Sequence, residues 1–326
     1  MPHFPWLSLA LVALWVAVPA PAIAIDAPAA LATLKAEADA GNAEAALQLA
    51  EKLDKGVGVV QDREAATAYY RQAARQGLLA AEVPLGVRLV AGIGVAADPA
   101  EGLVWLRRAA NRGDADGQYE LGQIYAHGHD VPQDLREALV WYERAASQGH
   151  LMAAFDMGLL YETGQGVAAD MRRAVEWYER AARQGESNAQ ARLGDLYILG
   201  APDIPPNRPE ALRWLRLAAE QGDLSVQYSL GQALDEDGHH HEAYPWFLKA
   251  ADSGHALAQY RVAVMLEEGE GVAQDLASAC FWYELLELRE FPDGTQRLAR
   301  LKSRLSAREQ AGAKLKAERW LESRGE

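Results

Sequence analysis

Glycine divides this chain into units of equal length. Gly41, Gly77, Gly113, Gly149 and Gly185 follow one another every 36 residues, and Gly222 and Gly254 continue the series. A period of this size marks supersecondary units that cannot bury their apolar faces alone and must stack on their neighbours. The unit from His150 to Gly185 shows the pattern most fully. Ala153, Met157, Gly158 and Tyr161 recur at three- to four-residue spacing, which places them on one face of a first helix, A. Gly164-Gln165-Gly166-Val167 then lets the chain reverse. Asp170 is suited to accept the free N–H groups at the start of a second helix, B, from Met171 to Arg183, whose apolar stripe is Ala174, Trp177, Tyr178, Ala181 and Ala182.

The other copies share this chemistry. The small residue of helix A returns in Leu85-Gly86, Leu121-Gly122, Leu193-Gly194 and Leu230-Gly231, where it lets two helices approach closely. Helix B repeats a bulky pair, as in Tyr69-Tyr70, Trp141-Tyr142, Trp214-Leu215, Trp246-Phe247 and Trp282-Tyr283, and then an alanine pair, as in Ala73-Ala74, Ala145-Ala146 and Ala250-Ala251. In the seventh copy the alanines become Leu285-Leu286, which suggests a stack about to end.

On these residues the chain resembles the Sel1-like repeat family, a relative of the tetratricopeptide repeat. The resemblance covers seven units: 42–77, 78–113, 114–149, 150–185, 186–222, 223–254 and 255–290. It implies an all-α fold, a right-handed α/α solenoid of paired antiparallel helices, and a role in assembling protein complexes rather than a reaction. Residues 25–41 are expected to form a short N-terminal cap with Leu31, Leu34 and Ala38 inward, and 291–326 a helical C-terminal cap. There Phe291-Pro292-Asp293-Gly294 interrupts, a helical run begins at Thr295, and Ser306 and Glu309 form a capping box ahead of a basic helix carrying Leu315, Trp320 and Leu321.

Irregular units carry further expectations. Pro84 lies inside helix A of the second unit and Gly102 replaces the usual alanine of its helix B, so this unit should bend and be the least stable. In the third, Gly128-His129-Asp130-Val131 stands for the glycine turn and should keep its shape. The fifth carries a proline-rich connection, Pro202 to Pro206, that must bulge. In the sixth, Asp235 to His241 replaces the whole turn.

Before the repeats, the apolar run Trp6 to Val18, the prolines Pro19 and Pro21, and Ala22-Ile23-Ala24 have the form of a secretory signal in residues 1–24, cut at about Ala24/Ile25. The run is too short to span a bilayer. No Lys or Arg precedes it, and an uncleaved anchor is the alternative. The expected location is the periplasm or the exterior. The net charge of −14 opposes attraction to nucleic acid and anionic lipid, which leaves basic or neutral protein or peptide partners.

Chemical motifs are few. No dinucleotide or phosphate-loop glycine pattern and no G-x-S-x-G elbow occurs. Cys280, the single cysteine, belongs on the buried side of its helix as a core thiol. This sets the chain apart from the cysteine-rich Sel1-like branch for which penicillin binding has been proposed. His127, His129, His239, His240 and His241 fall in turns, the last three beside acids; imidazoles and carboxylates can ligate zinc or copper, but adjacent loop residues seldom converge on one ion. Neither a cofactor nor a metal is assigned, and no catalysis is expected.

The resemblance to the tetratricopeptide fold implies a concave binding face lined by helix A. Its positions two before Leu-Gly, one after Gly and one after Tyr give Tyr119 and Gln123; Phe155 and Glu162; Asp195; Tyr228, Gln232 and Asp235; and Tyr260 and Glu267. Aromatics interleaved with acids and amides suit peptide recognition. The alternative is that the aromatics merely pack between adjacent A helices. On the first reading the scaffold belongs to the cell envelope. A secreted host-interaction factor of the same fold, or an enzyme of β-lactam or peptidoglycan chemistry, are the rival readings.

Overall fold

The computed structural model describes residues 28–128 and 131–325. The signal segment, its cleavage point and the turn residues His129 and Asp130 lie outside the described residues. A first helix, α1 (Pro28–Asp39), precedes seven pairs. They are α2 (Ala43–Lys55) with α3 (Arg63–Arg75), α4 (Leu79–Ala91) with α5 (Pro99–Asn111), α6 (Ala115–His127) with α7 (Leu135–Ser147), and α8 (Leu151–Thr163) with α9 (Met171–Ala182). Next come α10 (Ser187–Leu199) with α11 (Arg208–Glu220), α12 (Leu224–Glu236) with α13 (His240–Asp252), and α14 (Ala256–Glu268) with α15 (Leu276–Leu288). Two closing helices follow, α16 (Pro292–Lys302) and α17 (Ala307–Glu322). Among the described residues there is no strand beyond one isolated bridge between Ala201 and Ile204. The architecture is an all-α repeat solenoid, and its residues group into two compact units, 1–141 and 142–326, divided within α7.

Local chemistry fixes the hairpins twice over, except in the sixth pair, where His239 caps α13 without a side-chain bond. The Asp that caps helix B accepts from a backbone N–H three residues on, as Asp62 does from Ala65 at 2.9 Å and Asp170 from Arg173 at 3.1 Å, and so satisfies one of the four orphan donors of a helix start. The same residue's own N–H reaches back to helix A: Asp62 to Leu53, Asp98 to Leu89, Asp170 to Tyr161 and Asp275 to Leu266, all at 2.8–2.9 Å. Asn207 keeps both bonds after the proline-rich connection, to Tyr197 O at 2.8 Å and from Glu210 N at 3.4 Å. The longer turn is therefore absorbed between Ala201 and Ile204, where Asp203 adopts φ 64°.

Within a pair, the small residue of helix A is a steric necessity. A Cβ on Gly158 would lie 2.5 Å from the ring of Tyr178, and one on Gly194 or Gly231 would strike Leu215 or Phe247 at 2.6–2.7 Å. The second pair carries this further, because a Cβ on Gly102 would lie 2.7 Å from Val90 and 2.8 Å from the Gly86 carbonyl. Gly102 is therefore a point of close approach between α4 and α5 rather than a lapse in the alanine pattern. Helix α4 runs through Pro84 from Leu79 to Ala91.

Several local expectations change. In the sixth pair α12 continues to Glu236 and α13 already begins at His240, so His240 and His241 are helical and the turn has shrunk to Asp237, Gly238 and His239. Phe291 to Gly294 does not interrupt the chain. Glu290 adopts φ 57°, Phe291 is the N-cap, and α16 starts at Pro292, where a proline suits a first helical position. Both α16 and α17 pack on α15, whereas in the repeats it is the following helix A that packs on a helix B, so the closing helices cap the stack rather than continue it. The capping box of Ser306 and Glu309 is present, but the inward positions of α17 are Ala313 and Ala317, while Leu315 is exposed. Cys280 is buried, and burial raises its thiol to about 11.

Candidate functional site

The expected binding residues fall on the A helices in two groups. Tyr119 and Gln123 belong to α6 in the first unit and bond to each other, the Gln123 amide donating to the Tyr119 hydroxyl at 2.7 Å. The other eight lie in the second unit, on α8, α10, α12 and α14.

The aromatics of α8, α12 and α14 occupy the same place on their helices, where α10 has Ala191, and lean on the bulky pair of helix B. Phe155 lies 5.5 Å from Tyr178, Tyr228 5.7 Å from Phe247, and Tyr260 6.2 Å from Tyr283, ring centre to ring centre. Two of them also reach the start of the next repeat: Tyr228 stacks on His255 at 4.7 Å and Tyr260 meets Phe291 at 6.4 Å. All three are half-buried. Tyr228 and Tyr260 therefore spend part of their surface on the joint between repeats, as packing between repeats requires, while Phe155 packs within its own pair.

Three of the four acids are held by arginines of the following A helix. Glu162 accepts from Arg192 Nε at 3.0 Å and from the Tyr178 hydroxyl at 2.7 Å. Glu267 repeats this with Arg297 at 3.0 Å and Tyr283 at 2.9 Å. Asp235 takes a bidentate pair from Arg261 at 2.7 and 2.8 Å. Its helix-B partner Phe247 has no hydroxyl, and His240 Nδ1 fills that role at 2.7 Å. Burial pushes the Glu162 and Asp235 carboxyls up, but the hydrogen bonds from Arg192 and Tyr178, and from Arg261 and His240, outweigh it and hold both below the ordinary range. Asp195 differs. Burial raises it against the pull of Arg192. Gln232 is exposed and donates to Glu236 at 3.1 Å.

The three adjacent histidines do not converge. His239 and His241 are exposed, while His240 sits among Asp235 and Glu270, close enough for the three to share an ion. Arg261 already bridges these two carboxylates, its Nη2 lying 2.7 Å from Glu270. A guanidinium is thus the resident cation of this cluster.

Two features of the joints escaped the sequence reading. The arginine partners stand immediately before the Leu-Gly pair or its equivalent, at Arg192 and Arg261. A glutamine also recurs eight residues after the second alanine of four alanine pairs, at Gln118, Gln190, Gln227 and Gln259, and its buried amide donates to Ala110, Ala182, Ala219 and Ala251 carbonyls at 3.0–3.2 Å. In the second pair Glu82 stands at that position, fully buried, and Arg108 and Arg112 reach it instead. The eight-residue offset was readable. Its purpose was not, because a polar residue inside an amphipathic pattern gives no hint of a carbonyl on the preceding repeat.

Stacked helix pairs with a regular A-helix face define a helical-repeat protein of the tetratricopeptide-like class. The Sel1 repeat model matches residues 43–78, 81–114, 115–150, 151–186, 187–223, 226–255 and 256–286, and the chain belongs to the Sel1 repeat family. Among solved structures it is similar to a protective antigen present in uropathogenic Escherichia coli strains and displaying an SLR fold, with 27% identity, TM-score 0.62, and coverage of 90% of this chain and 71% of that one. It is also similar to a Sel1 repeat protein from Oxalobacter formigenes, with 31% identity, TM-score 0.59, and coverage of 68% and 99%. A stretch of 93 residues is 41% identical to chitin synthase regulatory factor 3 of Schizosaccharomyces pombe, 26% of this chain but only a tenth of that protein's length.

Proposed function

We propose that the chain is a non-catalytic scaffold of the bacterial cell envelope, exported by a signal in residues 1–24, which binds a protein or peptide on the A-helix face of residues 142–326. The observation that carries this reading is the recurrence of half-buried rings at one place on three of the four A helices α8, α10, α12 and α14, as Phe155, Tyr228 and Tyr260, with Ala191 at that place on α10. Aromatic residues with one surface packed and one surface free are rigid anchors for a ligand. Because Glu162, Asp235 and Glu267 are each engaged by an arginine, the polar part of this face is a row of ion pairs rather than a row of bare acids. A ligand strand with donors and acceptors of both kinds, neutral or mildly basic overall, fits it better than a polycation. Among the described residues no helix is long and apolar enough to cross a membrane.

The test is a dissociation constant. Once a partner is isolated from envelope extract, the folded Tyr228→Ala/Tyr260→Ala variant should bind at least tenfold more weakly, and truncating one such anchor should cost on the order of 2 kcal/mol. Unchanged affinity in the folded variant refutes this face as the site; a parallel Tyr119→Ala variant tests the first unit. Mass spectrometry of protein recovered from the envelope tests export, with Ile25 as the expected first residue. Likeness to a protective antigen supports a second reading, a secreted host-interaction factor. Labelled β-lactam that bound covalently would favour the enzyme reading instead.

A further inference from the structure

At two joints the B helices of successive pairs are tied by an ion pair that the first joint lacks. In the first unit Arg71 of α3 donates to Glu101 of α5 at 3.1 Å, and in the second Arg216 of α11 pairs with Glu242 of α13 at 2.7 Å. Counted back from the closing glycines, the arginine stands six residues before Gly77 or Gly222 and the glutamate twelve before Gly113 or Gly254. At the joint between α1 and α3 the same two places hold Lys35, six before Gly41, and Ala65, twelve before Gly77. The cation has been kept and its carboxylate has become a methyl group.

A cleft of about 760 Å³ opens at this spot, within the range of small-molecule sites. Its apolar side chains are Leu31 of α1, Leu49 and Leu53 of α2, and Val59 and Val60 of the following turn. Lys35, Ala65, Arg63 and Asp62 also line it. Val60 is 89% exposed. The cleft has a sequence-level cause, since α1 carries Thr33-Leu34 where the register places Tyr69-Tyr70 in α3 and has no aromatic of its own; the one ring that lines the cleft is Tyr69, whose hydroxyl donates to Asp39 at 2.7 Å. Among the described residues neither the Lys35 ammonium nor the Arg63 guanidinium has an ion-pair partner. The Asp62 carboxylate is already used as the cap of α3 through Ala65 N at 2.9 Å. The lining thus has two free cations against one engaged acid, on a chain whose net charge is −14.

We infer that this cleft binds a small aliphatic carboxylate, such as a medium-chain fatty acid. Its carboxylate takes the place that Glu101 and Glu242 occupy at two other joints, beside Lys35 and with Arg63 at the rim, and its chain covers the leucines and valines. This occupant satisfies three features of the joint together: two cations without an ion-pair partner, unfilled volume and exposed aliphatic surface. The inference is independent of the A-helix face, which lies on other elements.

The experiment is isothermal titration of the purified full chain with decanoate, with decanol and decyltrimethylammonium as probes of the charge requirement. Decanoate should bind saturably with one site, and the ammonium compound should not. The informative variant is Ala65→Glu, which restores the internal pair with Lys35, so it should raise the melting temperature while weakening decanoate binding at least tenfold. Lys35→Ala should weaken binding similarly without that stabilisation. Failure of the wild-type chain to bind decanoate overturns the inference. So does wild-type affinity in both Ala65→Glu and Lys35→Ala, which would place any binding elsewhere on the chain, or equal affinity for the cationic probe, which would leave only unspecific apolar adsorption.

Discussion

Arg192 forks onto Glu162 across a repeat joint, its Nε donating to Oε2 at 3.0 Å and its Nη2 to Oε1, while Tyr178 donates to the same carboxylate from below. The side chain of Glu162 is only 12% exposed and that of Arg192 41%. Hydrogen bonds to a charged group at a partly buried site contribute about 1.5–3 kcal/mol, and the exposed arginine places this pair toward the lower end. Arg192→Ala should therefore destabilise the protein by about 2 kcal/mol, read as a lower urea midpoint. The double variant with Glu162→Gln should lose much less than the sum of the two single changes. Additive losses would mean that the two side chains do not act as a pair.

Acid should loosen these joints. Glu162 and Asp235 are held below their ordinary 4.5 and 3.8, so the unfolded chain takes up protons at these groups before the folded one does. Their contribution is fully present above the unfolded values and is lost as the pH falls through the folded ones. Glu120 and Asp195 are shifted up by burial and act with the opposite sign, gaining stability as they protonate first. The urea midpoint is expected to change little from about pH 6 to 5 and to fall below about pH 4. Glu162→Gln/Asp235→Asn should show a shallower acid limb; an unchanged limb would assign it to other carboxylates.

Glycines of helix type should divide into two classes. Gly158→Ala drives a methyl into the Tyr178 ring, which is itself pinned to Glu162 and Phe155, and should cost about 1–3 kcal/mol. Gly312 lies in α17 with nothing within 4 Å of its would-be Cβ, so Gly312→Ala should stabilise the chain by up to about 1 kcal/mol through helix propensity. Thermal unfolding of the two variants checks the contrast in sign.

The buried glutamines should matter more than their polarity suggests. Gln190→Ala removes the donor to the Ala182 carbonyl at 3.0 Å and also the acceptor of Gln221 at 2.8 Å. Leaving such groups unpaired in a buried place should cost about 1–3 kcal/mol. Amide hydrogen exchange should show faster opening of α10 in this variant, and unchanged protection there would count against the clamp.

Cys280 should be silent in the native protein. Its thiol is buried and raised to about 11, so little thiolate exists near neutrality. A thiol reagent at pH 8 should label it only at the rate of unfolding and completely in denaturant. Rapid stoichiometric labelling of folded protein would show an opening of α15 that the packing does not provide.

The repeat architecture was legible because it rests on local rules. The 36-residue spacing, the turn glycines at positive φ such as Gly164 and Gly166, and the capping acids Asp62 and Asp170 each state their purpose within a dozen residues. Gly158 was legible as a small residue, though not as a seat for Tyr178. The candidate face was half legible. Phe155, Tyr228 and Tyr260 could be placed on helix A, yet their leaning on Tyr178, Phe247 and Tyr283, and the stacking of Tyr228 on His255, depend on how one pair docks on the next. His240 was misplaced because the helix start moved into the histidine run once the turn shortened, and α16 was entered late because a proline reads as an interruption unless the preceding residue is known to cap.

The sequence by itself determined that this is an all-α chain of Sel1 repeats, where each pair begins and turns, and which side chains are apolar enough to be buried, since helix periodicity, capping and glycine geometry are properties of short segments. The tertiary structure alone decided which polar groups are free. Glu162, Asp235 and Glu267 look like an open acidic row in the sequence and are closed by arginines about 26 to 30 residues downstream, whereas Lys35 looks like one more surface lysine and is left without the acid that Arg71 and Arg216 have. Charge pairing across a joint is set by distances of a few ångströms between separate repeats, and no spacing along the chain encodes those distances until the helices are stacked.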